Sequence, residues 1–577
     1  MKQKTLLKTA LLLLALAGST NTVWADEVNV STSSEFGTAY NAAATTATDG
    51  GSTTIILATG TYQLSESGLR WSQMEIPMSR TVTIKAAEGA DVTLIGKVQS
   101  YEANRCGSLI FDGIKLRTTT TNGFIDLGNN TTNVGDIIFR NCDFASVTGN
   151  ALDRCFITGG KNTGTINSIQ FDNCTIHDCS SSYNFIWTEH VVKAISVTNC
   201  TLYNYGGESF FYARTANTEQ AFSFTFTNNT VYRWAKVNSR RAFAMVGSNY
   251  SSGSTYTVKD NIIDGFMTDG TNAYVENMTV NNDNFVLVQT GSGGTIDIEN
   301  NILLGFKNGD GSNKNNVVWA TGGPTITNTN YWPWDDATLN DTFGFTSIPF
   351  TDAANGDFTI NLNSYPAFAT ASTVGTPLGA PSTWKYTWNS GTAKAGTLIL
   401  PYEANIPDGI TAFTLTYTSG SSATATEINT GILPANTPVL LNAETASKDY
   451  CFTSTGTVPN AAPSDLQKGA MTGVYSTGYV PANSYVLQNG ADGLGFYKVT
   501  EDNNISIGAY RAYLTPGQNA EARMISIVFN DDMTTGIGNI TSAPSKDEGV
   551  AYNLAGQRVA NGYKGLVIKN GKKYIIK

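Results

Sequence analysis

One short frame recurs along this chain and constrains its fold more than any other feature. Phe139-Arg140-Asn141-Cys142-Asp143-Phe144 is matched by Phe171-Asp172-Asn173-Cys174-Thr175-Ile176 and by Val197-Thr198-Asn199-Cys200-Thr201-Leu202. Phe226-Thr227-Asn228-Asn229-Thr230-Val231, Val258-Lys259-Asp260-Asn261-Ile262-Ile263 and Ile298-Glu299-Asn300-Asn301-Ile302-Leu303 continue it. Phe111-Asp112-Gly113-Ile114-Lys115-Leu116 precedes the series, and Ile326-Thr327-Asn328-Thr329-Asn330-Tyr331 reads as a degenerate last copy. The period is roughly 26–40 residues, inside the range of solenoids. Apolar residues alternate on both sides of the Asn, so each copy is two short strands with one face inward. The Asn stands at the corner, since it tolerates left-handed backbone angles and can bond its own backbone. Stacking would lay Asn141, Asn173, Asn199, Asn228 and Asn300 amide on amide, as a ladder facing inward.

A second apolar strip lies upstream in each copy: Phe156-Ile157, Phe185-Ile186, Phe210-Phe211, Phe243-Ala244, Phe285-Val286 and Val317-Val318. Two or three strands per coil with uneven loops make a parallel β-helix of about eight coils, not a sandwich. Cys142, Cys174 and Cys200 then fall at one inward position of consecutive coils, and Asn229, Asn261 and Asn301 continue the row. Buried Cys serves as a small apolar filler. Stacked inward side chains in parallel strands rarely reach disulfide torsions, so free thiols are expected. No His or second Cys stands beside them at ligand spacing, so no metal is expected. Cys106, Cys155, Cys179 and Cys451 do not pair by any spacing rule. Glu35 to Ala43 has helical spacing behind Ser33 and Ser34, and is expected to cap the first coil.

Lys2, Lys4 and Lys8 precede the apolar run Leu11–Leu16, and Val23-Trp24-Ala25 supplies small or aliphatic residues at −3 and −1. This reads as a signal peptide cut after Ala25, because a membrane anchor needs about 20 apolar residues. The expected location is outside the cytoplasm, secreted or on the outer cell surface, with no transmembrane segment. A net charge of −10 argues against general nucleic-acid binding, which needs concentrated Lys and Arg. It also disfavours long-range attraction of an acidic polymer, though a local basic patch would suffice.

Two segments carry a family likeness. Thr54-Ile55-Ile56-Leu57-Ala58-Thr59-Gly60-Thr61-Tyr62 and Val82-Thr83-Ile84-Lys85-Ala86-Ala87-Glu88-Gly89-Ala90 resemble the opening coils of the pectate-lyase-like β-helix superfamily, most closely its chondroitinase-B-like branch. The resemblance spans roughly 30–375 and implies an all-β, right-handed parallel β-helix. It implies less about activity, since that superfamily holds lyases, hydrolases, isomerases and binders. Its lyases abstract a proton beside a uronate carboxylate that Ca²⁺ or Arg/Lys neutralises, with Lys or Arg as base.

From Trp384 the Asn frame stops. Gly396 to Tyr402, Phe413 to Tyr417, Pro438 to Leu441, Tyr485 to Leu487 and Gly495 to Val499 read as strands of a β-sandwich-like domain. The stretch Ile432 to Val439 resembles an accessory module of large secreted proteins from polysaccharide-degrading anaerobes. Ala551 to Val559, Lys564 to Lys569 and the basic end Lys572 to Lys577 resemble C-terminal sorting domains of type IX secretion. That likeness implies outer-membrane secretion machinery as a partner. The expected division is 1–25 signal peptide, 26–380 β-helix with its helical cap, 381–530 sandwich and 531–577 linker with a small β tail.

Chemistry has to come from outward positions. Trp187 and Glu189, Tyr212 and Arg214, and then Met245 and Gln289 flank the upstream strips, while Lys193, Arg233, Lys236, Arg240 and Arg241 lie in nearby turns. Lys193, Arg214 and Glu189 are the candidate catalytic cluster, although charges at these places read more readily as solvated turn residues. Trp187, Tyr212 and Trp319, with Arg240 and Arg241, are candidate glycan contacts, since sugar rings stack on exposed aromatic faces. Only His177 and His190 occur; His177 is expected in a surface turn, and no Ser-His-Asp motif is present. Asn308 to Asn313 begins like a calcium loop but lacks its Gly at the sixth place and its acidic twelfth residue, and reads as a turn. Three readings follow: a β-helix that binds extracellular polysaccharide, a polysaccharide lyase on uronate-containing glycans with Ca²⁺ or Arg/Lys neutralising the carboxylate, or a structural adhesin without a glycan ligand.

Overall fold

The computed structural model describes residues 26–529 other than 46–50, 65–79, 100–104, 119–122, 128–132, 148–156, 160–163, 180–183, 206, 208, 214–218, 235–241, 247–249, 265–285, 291–292, 305–317, 321–324, 334–335, 346–348, 460–464 and 517–520. It also describes three C-terminal strands. Cys155, Arg214, Lys236, Arg240, Arg241 and residues 308–313 lie outside the described residues, as do 1–25.

A parallel β-solenoid forms the first part. Its first face stacks strands from Asp26–Val30 through Ser52–Leu57 to Thr325–Pro333, every pairing parallel. The register holds like residues over like: Phe111, Phe139, Phe171, Val197, Phe226, Val258 and Ile298 share one inward row. Phe111 and Phe139 stack with ring centroids 5.3 Å apart, and Phe139 and Phe171 at 5.0 Å. That is the strand spacing of about 4.8 Å carried into the side chains. Alternation thus does what the pattern demands, burying one residue in two.

At the corner Asn141, Asn173, Asn199, Asn228 and Asn300 all take positive φ, between 51° and 62°, and Asp260 does so at 60°. The short polar side chain is what makes this left-handed conformation cheap. Among the corner side chains Asn141 is exposed, Asn173, Asn199 and Asn300 are half-buried and Asn228 and Asp260 are buried, and Asn173 Nδ2 donates to Asn141 Oδ1 at 2.7 Å. The inward amide ladder belongs to the following residue. Asn229 Nδ2 donates to Asn261 Oδ1 at 3.0 Å, and Asn261 Nδ2 to Asn301 Oδ1 at 2.7 Å. Cys142, Cys174 and Cys200 occupy the same row above them as free, buried thiols, and Cys179 is also free. Burial pushes the Cys142 and Cys174 thiols well above the usual range.

The upstream strips form a separate eight-stranded parallel sheet, from Val98–Gln99 to Val318–Ala320. One expected alignment shifts by two residues: Ala244 pairs with Val288, and Val286 with Ala242. A slip of two keeps each side chain on its face, which is why the pattern alone could not detect it. The last copy shifts too, since Ile326 pairs with Ile296 and a bulge follows.

The N-terminal cap is the helix Ser33–Thr45, which buries Phe36, Tyr40 and Ala43. Its start is set by Thr32, whose hydroxyl accepts from the Glu35 N–H at 3.2 Å, while Glu35 accepts from the Ser31 N–H at 2.8 Å. This is a reciprocal capping arrangement.

Beyond the solenoid, the helix Asp336–Phe343 and the hairpin Phe350–Asp352/Asp357–Asn361 lead into a ten-stranded sheet. Its first strand, Ala395–Leu398, lies against Arg511–Leu514 near the other end of the order: Ile399 donates to the Tyr510 carbonyl, and the Thr397 hydroxyl to that of Ala512. The sheet therefore folds over one core that includes Phe413, Leu440, Tyr485 and Phe496. Trp384–Asn389 pairs with both Asp357–Asn361 and Asp449–Thr453, so the 380/381 boundary runs through a single four-stranded sheet. Ile262 and Ile302 of the solenoid share a core with Trp384, Tyr402 and Phe452. Ala551–Asn553, Gly565–Lys569 and Lys572–Ile576 form a small antiparallel sheet.

Candidate ligand face and a charged rung

On the eight-stranded sheet one register row runs Gln99, Asp126, Thr158, Trp187, Tyr212, Met245, Gln289 and Trp319. Trp187 and Tyr212 are direct register partners, and both are half-buried. Trp319 stands three strands beyond Tyr212, about 14 Å along the axis at one strand spacing each. Two aromatic side chains on adjacent rungs form a platform about 5 Å from centre to centre, wide enough for one sugar ring. Asp126 lies two rungs before Trp187 and is engaged by Lys97 at 3.9 Å.

Glu189 stands in the turn that follows the Trp187 strand, and Lys193 lies on the next strand, Val191–Thr198; both are half-buried. The structure therefore keeps these two close in sequence and on neighbouring elements. Arg214, the third member of the expected cluster, falls outside the described residues, as do Arg240 and Arg241. His190 is fully buried, and its backbone N–H donates to the Thr188 hydroxyl at 2.9 Å. A sealed imidazole of this kind serves packing better than proton transfer.

A second constellation, not visible as a motif, lies on the outward side of the strands just past the corner. His177 is in the strand Thr175–Cys179, which corrects its expected place in a turn. The register sets Ala145 between Arg117 and His177. This small side chain leaves room for Asp143, two residues earlier, to reach both neighbours. One Asp143 oxygen pairs with the Arg117 guanidinium, which also donates to the Asp143 carbonyl at 2.8 Å. The other lies 3.2 Å from His177 Nε2, while His177 Nδ1 is 2.8 Å from Asp178. Burial works against charge on both groups, but the mutual hydrogen bonds and charges outweigh it. The His177 pKa is therefore raised and that of Asp143 lowered.

Tyr203 stacks on His177 at 5.1 Å and meets Phe358 of the following hairpin at 5.0 Å. Burial pushes its phenol up to about 12. Beside this rung a cleft of about 340 Å³ is lined by Asp91, Lys115, Asn141 and Asp143, with Lys115 paired to Asp91 at 2.9 Å. Carboxylates at both ring nitrogens favour the protonated imidazole, and the Asp143 contacts to Arg117 and His177 tie three neighbouring coils together. Writing the repeat out as register rows would have found it, since Arg117 and His177 lie 26 and 34 residues from Asp143.

Among the described residues no group of three or more His, Cys, Asp or Glu side chains is placed to hold a metal ion, and no helix is long and apolar enough to cross a membrane. Residues 60–234 match a family model described as a domain of unknown function, DUF4957. No curated protein matches the chain. The matched stretch opens with the strand Gly60–Leu64 and closes with Thr230–Trp234, so it contains both the Trp187–Tyr212 platform and the His177 rung.

Proposed function

We propose that this is an exported β-solenoid protein that binds an extracellular polysaccharide along the Trp187–Tyr212 row of its eight-stranded sheet. The observation that carries the reading is the direct pairing of Trp187 with Tyr212. Parallel stacking repeats the same outward position at a constant rise, which suits a polymer with a regular repeat. The N-terminal signal-like segment supports export, and the C-terminal strands suit a sorting tail.

The test uses the full mature chain in pull-downs on pectins, alginates and glycosaminoglycans. At least one polymer should retain the wild type, and Trp187→Ala with Tyr212→Ala should weaken retention tenfold or more, about 1.4 kcal/mol. Retention that survives the double substitution, or no retention on any polymer, rejects the reading. Ultraviolet absorbance of an unsaturated uronate product, followed in the same samples, would move the assignment to a lyase.

A further inference from the structure

The C-terminal module holds a cleft of about 500 Å³ that is separate from the solenoid faces. It opens between the turn after Trp384–Asn389, the strand Ala395–Leu398, the hairpin Tyr485–Gly490/Gly493–Lys498 and the segment from Ser506 to Arg511. Small-molecule sites typically occupy about 300–1,000 Å³.

The lining is chemically selective. Arg511 is the one charged side chain among its described residues, in a protein of net charge −10. Arg511 Nη1 donates to the Thr397 carbonyl at 3.1 Å, and the Thr397 hydroxyl is itself held by Ala512. That anchor fixes the guanidinium at the wall while leaving other N–H groups of the fork. Gln488 and Asn489 are exposed along its rim, and Val486, Ile505 and Ile507, which pack in one cluster, form an apolar strip in its wall.

The floor supplies an independent observation. Trp388 is 1 % exposed, and its indole Nε1–H has no acceptor within hydrogen-bond reach. Gly396 in the cleft wall packs on the indole edge, since a Cβ there would stand 2.9 Å from Trp388 Cζ2 and 3.1 Å from Nε1. Buried N–H groups are rarely left unpaired, and this one lies directly behind the wall of the cleft.

We infer that this cleft binds an acidic sugar unit, a pyranose carrying one carboxylate. Arg511 takes the carboxylate as a charge-assisted fork, the amides of Gln488 and Asn489 meet ring hydroxyls, and the apolar strip underlies a ring face. An amino acid would set its ammonium against a lining without a carboxylate. A phosphate dianion would find a single cation. The inference is independent of the solenoid platform.

The test is calorimetric titration of the full mature chain carrying Trp187→Ala and Tyr212→Ala, so that failure of the solenoid reading leaves it intact. The probes are glucuronate- and galacturonate-containing trisaccharides and neutral trisaccharides of equal length. Acidic probes should bind saturably, and neutral ones about tenfold more weakly or less. Arg511→Gln should reduce acidic binding by a similar factor. Asn489→Asp, at an exposed position, should do the same by adding a repelling charge, and decides the matter if Arg511→Gln fails to fold. Equal affinity for neutral probes, undiminished binding in the folded variants, or no saturable binding overturns the inference.

Discussion

At the scale of single residues, the row Cys142, Cys174, Cys200, Asn229, Asn261, Asn301 shows two ways to fill one position. The thiols lie in the core and bond only weakly, as in Cys200 Sγ to the Thr198 carbonyl at 3.0 Å. The amides instead satisfy backbone groups of neighbouring coils. Asn261 donates to the Phe226 carbonyl and to Asn301, and its oxygen accepts both the backbone and the amide N–H of Asn229. Asn261→Ala should therefore cost roughly 3 kcal/mol, since it strands buried donors and an acceptor at once; denaturant unfolding would show it, and a loss no larger than for a surface Asn→Ala would contradict it.

Two titratable residues give a pH prediction. The raised His177 pKa means that its proton stabilises the fold fully below its ordinary 6.5, an effect lost as pH rises through the raised value. Burial lifts Asp264 to about 7, only partly countered by Arg233, so the fold favours its neutral acid. That contribution too is complete below 3.8 and disappears as pH climbs through about 7. Stability should thus decline from mildly acidic to alkaline pH. Asp264→Asn should raise Tm above pH 7 and His177→Asn should lower it near pH 6, each flattening the slope; an unchanged slope in both would reject the assignment.

At the scale of elements, the N-terminal helix depends on one buried cation. Arg80 is 4 % exposed; its Nε donates to the Ala43 carbonyl at 2.7 Å and its Nη2 to the Thr53 hydroxyl at 2.6 Å. It thereby ties the end of the helix to the first-face strand Ser52–Leu57. The apolar face of Phe36 and Tyr40 brings the helix to the coil, and Arg80 fixes where it stops. Arg80→Met should free the helix end at a cost of about 3 kcal/mol. Limited proteolysis should then cut between residues 31 and 51 several-fold faster, and an unchanged rate would show the apolar contacts suffice.

For the whole molecule, the segment 372–383 joins solenoid and C-terminal module along the corner face. Thr373 donates through both N–H and hydroxyl to the Asp260 carboxylate, Gly379 N–H to the Asp260 carbonyl, and Ala380 N–H to the Thr230 hydroxyl. Gly379 has φ +80°, and a Cβ there would come within 2.6 Å of Thr230 Oγ1. Gly379→Ala should loosen this docking by about 2 kcal/mol or more. Faster hydrogen exchange across 372–383, with the solenoid core unaffected, is the expected result; unchanged exchange would mean the shared core of Ile262, Ile302 and Trp384 holds the two parts unaided.

What the sequence determined by itself was everything that repeats. Alternation around each Asn specified paired strands, the left-handed corner called for Asn or Asp, and the common inward position explained Cys142, Cys174 and Cys200, because stacking makes each coil's local pattern its tertiary pattern. Position along the axis was a different matter. The two-residue shift at Val286 preserves every face and so leaves no trace in the pattern. The His177, Asp143 and Arg117 contacts join residues dozens of positions apart through unequal loops, and the Asp260 carboxylate meets Thr373 from 113 residues away. The cleft beneath Arg511 needs a sheet folded back on itself, so that Thr397 faces Ala512. Only the tertiary structure decides such meetings, since they depend on summed loop lengths and sheet curvature, which local periodicity does not encode.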